Sequence, residues 1–318
     1  MSVYTELTHE NISHILEDYS LDALQSFEGI AAGIENSNFF IDTEQGRFVL
    51  TVFERMDEQE LPYFMRLMCH LAAKGLSCPD VMQRRDGSLL FEVQDEGGAE
   101  RKVKWGCIVS CLSGKTLDAL NSVQLYASGQ ALAQLHLAGE SFAEQRANPT
   151  GTIWLQEHVD KVLQGTAKAY GDVTANLLRD ELESQRLQLW DDLPRGVIHG
   201  DLFVDNILFD GDKVSGIIDF YYAHTAPWVM DIAITLNAQA VILNHDDDSR
   251  IQAFLSGYES VRELQEDEFQ ALPTLLRLAA LRFWVSRLYD ALFPRGGAMT
   301  QTKDPEEYRL KLLFHRGE

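Results

Sequence analysis

The sequence predicts an α+β chain built in two halves of unequal size. A small, mostly antiparallel sheet carrying one helix is followed by a larger helical region. Three observations predict this. Between residues 24 and 112, short apolar runs of strand-forming residues recur between turn signals. After Gly114 the apolar spacing lengthens to the helical period. One later stretch, residues 196 to 233, interrupts the helices with short strand pairs. The division falls near residue 112, giving an N-terminal lobe of residues 1–112 and a C-terminal lobe of residues 113–318.

Residues 6 to 20 read as a short helix with a cap at Thr8. Three strand-like runs follow, at 25–30, 38–42 and 47–53, and "TEQG" between the last two is a hairpin turn ending in Gly46. Residues 58 to 75 place Leu61, Phe64, Leu67, Met68 and Leu71 on one helical face, and Gly75 ends the run. Further strand-like runs lie at 81–83 and 88–93, then the loop "EGGAERK", then the β-prone "WGCIVSCLSG" at 105–114. Helical periodicity covers 122–138, 153–189, 229–243, 249–260, 267–292 and 304–315.

The bulk numbers exclude several functions. With 318 residues, 45% of them hydrophobic, the chain can bury a large core. Its 49 acidic against 27 basic residues give a net charge of -22, which repels nucleic acid and anionic membranes. The first residues lack the basic start and apolar core of a signal peptide. No run reaches the ~18 apolar residues of a membrane helix, so a cytoplasmic protein is expected. Cys69, Cys78, Cys107 and Cys111 form no CxxC pair, and reduced, packed thiols are expected.

The chemistry concentrates in "GVIHGDLFVDNILFDGDKVSGIIDFYYAHTAPWVMDIA". An apolar run reaches His199, Gly200 and Asp201; Asn206 follows after four intervening residues, before "ILF". A second apolar run ends at Asp219, thirteen residues after Asn206. Two strand ends joined by a tight loop can bring Asp201, Asn206 and Asp219 together. Phosphoryl transfer needs such a set: one carboxylate to orient the attacking hydroxyl, and oxygen ligands for Mg²⁺ on the phosphates. Asp210 and Asp212 read as turn residues, and Asp205 as a solvated or capping neighbour.

The Asp-x-x-x-x-Asn order followed by a later Asp is that of the protein-kinase catalytic loop. With "HGD" in place of "HRD" and "IIDF" in place of "DFG", the chain resembles the aminoglycoside phosphotransferase and choline kinase superfamily over most of its length. The resemblance implies a bilobal protein-kinase-like fold, ATP and Mg²⁺, and a small-molecule acceptor with a hydroxyl group. It implies Asp201 as catalytic base, Asn206 and Asp219 as metal ligands, and His199 and Asp231 as structural support. On the nucleotide side it points to Gly33, Asn36, Ser37 and Asn38 between the first strands. It also points to Ser110, Cys111 and Leu112 at the hinge between the lobes. One departure stands out: Thr51 occupies the third-strand position where the superfamily carries a phosphate-binding Lys or Arg.

"FVLTVFE", the aromatic cluster after Asp219 and "LRFWVSRLYD" resemble the homoserine kinase branch of that superfamily. For such an acceptor, Arg282 or Arg287 could take the carboxylate in a bidentate way and Tyr221, His224 or an acidic residue the ammonium, with Trp284 as a further candidate contact. Other readings stay open: Trp228, Trp284, Tyr221 and Tyr222 could cage a choline. Methylthioribose, fructosamine or an aminoglycoside are further acceptors. A nucleotide-binding regulatory module is the non-enzymatic alternative.

Overall fold

The computed structural model describes residues 5–30, 36–95, 102–186, 190, 192–243, 247–294 and 303–318. Two compact units emerge, one of Met1–Gly114 with Ser215–Ile218, the other of Lys115–Val214 with Asp219–Glu318. Gly33 and all of "EGGAERK" but its last residue lie outside the described residues.

In the first unit, helix α1 (His9–Leu16) starts at Thr8, whose hydroxyl accepts the Asn11 N–H in a reciprocal capping box. Strands β1 (Ser26–Ile30), β2 (Asn36–Thr43), β3 (Gly46–Phe53), β4 (Phe91–Asp95) and β5 (Lys102–Ser110) form one antiparallel sheet in the order β1-β2-β3-β5-β4. The β2–β3 hairpin closes on Gly46 at φ 138°, a conformation that favours glycine. β2 alternates buried and half-buried positions along its whole length. Phe39 and Ile41 of that strand join Leu50, Val52, Phe91 and Ile108 in a core sealed by Ile12, Leu16 and Tyr19. Helix α2 (Leu61–Ala73) buries Leu61, Phe64, Leu67, Met68 and Leu71, and Gly75 follows it at φ 85°. Residues 81–83 differ from expectation. They make a bridge, Val81 to Val109, and one Met82 N–H to Ile108 carbonyl bond, rather than a strand.

The second unit holds helices α3 (Ser122–Gly139), α4 (Thr152–Tyr170), α5 (Asp172–Arg186), α6 (Trp228–Thr235), α7 (Asp247–Glu259), α8 (Glu266–Leu292) and α9 (Pro305–Arg316). The single helix expected over 153–189 is broken. Gly171, at φ 86°, ends α4, and Asp172 starts α5. The run expected over 229–243 also ends early, in a π-helical segment, Leu236–Ala240. Every residue of α6 is buried. Helices α3 and α7 cross closely at two glycines. A Cβ on Gly129 would lie 2.1 Å from the Phe254 carbonyl oxygen, and one on Gly257 would lie 2.0 Å from that of Tyr126. The short strands β6 (Arg195–Ile198) and β9 (His224–Pro227) pair antiparallel, while β7 (Ile207–Asp210) leads through the Gly211 turn into β8 (Lys213–Ile217), whose last three residues belong to the first unit. All four cysteines are free, Cys78 and Cys107 fully buried. Among the described residues no helix is long and apolar enough to cross a membrane.

Candidate active site

The loop after β6 is built around one buried carboxylate. Asp231, on α6, accepts the His199 N–H at 2.7 Å and the Gly200 N–H at 2.9 Å, and His136 Nε2 lies 3.1 Å away. Burial opposes its charge, but the His136 contacts and these backbone donors hold its acidity below the usual carboxylate range. The loop therefore leaves the strand along a path fixed by a fully buried anion. Gly200 must be glycine. Its φ is 76°, and a Cβ would lie 2.9 Å from the Tyr222 carbonyl oxygen. His199 is buried, and its Nδ1 accepts the Asp201 N–H at 3.3 Å.

Asp201 emerges from this turn partly buried. Burial pushes its pKa up to about 8; Arg282 opposes that rise, and Asp219 adds to it by like-charge repulsion. Asn206 ends the one-turn helix Val204–Asn206, and its Nδ2 donates to the Asp201 carbonyl at 2.8 Å and reaches the carboxylate at 3.5 Å. The amide nitrogen thus faces Asp201, and no hydrogen bond engages Oδ1 among the described residues. Asp219 is exposed, in the left-handed region at φ 66° and ψ 64°. Asp tolerates that region better than most residues, and such backbone concentrates at functional sites.

Among the described residues no three His, Cys, Asp or Glu side chains are grouped to hold a metal unaided. One amide oxygen and one or two carboxylates are instead the sparse, hard-oxygen donor set that Mg²⁺ takes when nucleotide phosphates supply the rest. Asn206 Oδ1 and the Asp219 carboxylate fit that donor chemistry.

The acceptor candidates separate. Arg282 is buried, donates to the Gly200 carbonyl at 2.7 Å, and sits with its guanidinium carbon 5.8 Å from the Tyr222 ring centre. Burial lowers its pKa, and Asp201 is the first charge opposing that shift. Arg287, by contrast, is engaged elsewhere. It donates to the Asp304 carbonyl at 2.8 Å and to Glu307 at 2.6 Å, and lies 4.5 Å over Tyr308. Five residues along a helix turn the two arginines onto different faces. Trp284 is 1% exposed and belongs to the core of α8. Tyr221 and Tyr222 are half-buried. His224 is buried, its Nδ1 donates to the Tyr222 carbonyl at 2.8 Å, and burial drops its pKa to about 4. It is therefore neutral near pH 7, with a buried Nε2 that has no hydrogen-bond partner among the described residues.

In the first unit the Thr51 hydroxyl donates to Asn38 Oδ1 at 2.8 Å across β2 and β3. Arg47 is committed to Asp42 at 2.7 Å. Ser37 is fully buried and donates to Glu54 at 2.5 Å; Thr5 donates to the same oxygen, and Lys104 pairs with Glu54 at 2.7 Å. The Ser37 hydroxyl therefore points into the protein, and the unit's half-buried Lys–Glu pair is one that sequence reasoning missed. Asn36 is half-buried. The Ser110 N–H is engaged with the Asp80 carbonyl at 2.8 Å; β5 ends there, so the Cys111 and Leu112 backbones lie beyond the ladder.

Residues 26–264, three quarters of the chain, match the model of the Phosphotransferase enzyme family. The chain belongs to that family. It is 42% identical to a homoserine kinase of Methylobacillus flagellatus, over 99% of this chain and 95% of that protein. It is 39% identical to a homoserine kinase of Neisseria meningitidis serogroup B, over 98% and 99%. Its fold, kinase-like in its small antiparallel sheet and larger helical region, is shared with amicoumacin kinase hAmiN, solved with AMP-PNP and Ca²⁺. There the TM-score is 0.68 at 16% identity, covering 96% of this chain and 91% of that one.

Proposed function

We propose that this protein is an ATP-dependent kinase that phosphorylates the side-chain hydroxyl of L-homoserine to O-phospho-L-homoserine, a step toward threonine. The observation that carries the acceptor is identity near 40% to homoserine kinases along nearly the whole chain. The site supports the reaction class. Asp201 orients the acceptor hydroxyl and takes its proton as the oxygen attacks the γ-phosphorus. The new O–P bond forms while the bond to the β-phosphate oxygen breaks, and ADP leaves. Asn206 Oδ1 and Asp219 would hold Mg²⁺, which when bound would neutralise charge on the phosphates. The high pKa of Asp201 without ligand suits a group that must both bind and release a proton near neutrality.

For the acceptor, Arg282 is the better-placed cation for the homoserine carboxylate, since its remaining guanidinium nitrogens can still donate. The neutral, unpartnered Nε2 of His224 suits an ammonium donor. Asn36, Asn38 and the backbones of Cys111 and Leu112 remain the nucleotide-side candidates. The pool of cytoplasmic ATP is the phosphoryl source. An ADP-release screen over homoserine, choline, methylthioribose, fructosamine and aminoglycosides tests the reading. Homoserine is expected to give the highest kcat/KM by at least about 100-fold, a gap of ~3 kcal/mol in transition-state binding. Equal or greater turnover of another acceptor refutes the assignment.

A further inference from the structure

Phosphoryl transfer disperses negative charge over the equatorial oxygens of the moving group, and positioned cations are its main protein-supplied stabilisers. Thr51 leaves the third strand without one, Arg47 is paired with Asp42, and Lys104 is locked to Glu54. The second unit contains another cation that the mechanism above does not use. Lys303 lies just before α9, and its Nζ sits 5.0 Å over the ring of Phe203 and 3.7 Å from Asp205. Both partners belong to the loop between Asp201 and Asn206.

The position of Lys303 is fixed by its neighbours. Arg287 grips the Asp304 carbonyl at 2.8 Å and Glu307 at 2.6 Å, and the Asp304 side chain caps α9 by accepting the Glu306 N–H at 2.9 Å. One of the two arginines that the sequence offers to the substrate therefore anchors the segment carrying Lys303. The ammonium itself is lightly held. Its side chain is 51% exposed and that of Asp205 is 65% exposed, a geometry in which an ion pair contributes little. Its charge nevertheless reaches Asp201, where it favours the carboxylate.

We propose that Lys303 is a catalytic residue that contacts the γ-phosphoryl group during transfer, exchanging its weak pairing with Asp205 for the phosphoryl oxygens. This rests on the phosphotransfer reading. The atoms balance as above: the hydroxyl proton goes to Asp201, the phosphoryl group to the acceptor oxygen, and ADP leaves. Lys303 contributes charge alone.

The test uses Lys303→Met and Lys303→Arg in the full chain. Calorimetry compares Mg·AMP-PNP with Mg·ADP, and steady-state assays compare homoserine-dependent turnover with ATP hydrolysis in its absence. Removing one charged contact should weaken AMP-PNP about 10-fold in Lys303→Met and leave ADP within about 2-fold. The kcat should fall about 100-fold, with ATP hydrolysis falling in proportion and the homoserine KM within about 3-fold. Lys303→Arg should recover some of both losses. Unchanged AMP-PNP affinity overturns the proposal. So does a raised homoserine KM with intact ATP hydrolysis, which would assign Lys303 to the acceptor carboxylate. If the wild-type protein binds nucleotide but does not phosphorylate homoserine, the acceptor reading fails, while the AMP-PNP and ADP comparison still decides the role of Lys303.

Discussion

Replacing Asp201 with Asn separates the stability of the unliganded protein from its activity. On folding, the Asp201 carboxyl moves from an ordinary 3.8 to about 8, chiefly through burial. Between those values the folded protein holds a proton that the unfolded chain has released, so stability falls as pH climbs through the window. Below about 4 the group costs nothing, and above about 8 the full cost is present. The gap, at about 1.4 kcal/mol per pH unit, sets a ceiling near 6 kcal/mol. Asp201 keeps some contact with solvent, which reduces the expected cost to about 2–3 kcal/mol. Asn carries no charge to desolvate. Urea unfolding of wild type and Asp201→Asn, without nucleotide, should therefore give a variant ahead by less than about 1 kcal/mol at pH 5 and by about 2–3 kcal/mol at pH 9. The same variant should lose about 1,000-fold in kcat, within the usual range for general-base catalysis. A stability difference that is flat with pH would refute the electrostatic argument, and near-normal turnover would refute the base assignment.

Asp219→Asn should weaken Mg·ATP at least about 10-fold with little loss of stability, because Asn also tolerates positive φ. Asp219→Ala should show the same binding defect plus a backbone cost of about 1 kcal/mol, both read by calorimetry and urea unfolding. Gly129→Ala forces a methyl into the Phe254 carbonyl and should cost about 3 kcal/mol by chemical unfolding; a cost under 1 kcal/mol would mean the α3–α7 crossing gives way easily. Glu181 is fully buried between Arg277, at 2.6 Å, and Arg316, at 2.9 Å. Although burial opposes its charge, the arginine and Gln185 contacts hold its pKa below the ordinary value. Its contribution is therefore present above about pH 4.5 and is lost as pH falls through the lower folded value. Glu181→Gln should cost about 2–3 kcal/mol at pH 7 and progressively less in acid.

The residues proposed to react stand out because they sit close together in the sequence. Asp201, Asn206 and Asp219 span nineteen positions, and their order is dictated by one strand–loop–strand unit. The sheet was readable for a similar reason: hairpin pairing is local, and Gly46 marks its tightest turn. Contacts between distant segments left no such trace. Nothing in the spacing ties Lys303 to Phe203, a hundred positions earlier, or Lys104 to Glu54 across β3 and β5. Arg282 and Arg287 look alike in sequence, and only the packing of α8 gives one to Gly200 and the other to α9. The break at Gly171 escaped because apolar periodicity continues on both sides of it, and one glycine within a helical pattern is an ambiguous stop.

The π-helical segment ties the bracing of the Leu202 loop to a helix synthesised much later. Gln239 donates to the Leu202 carbonyl at 3.0 Å, one residue beyond Asp201, and to this same segment α9 docks. Lys311 donates to the Asn237 carbonyl at 2.7 Å, and His315 Nε2 lies 2.7 Å from Asn237 Oδ1. Residue 311 is added to the chain 109 positions after Leu202, at about 5–20 residues per second roughly 5–22 s later. Until α9 is made, the segment that braces the Leu202 loop lacks the contacts of Lys311 and His315.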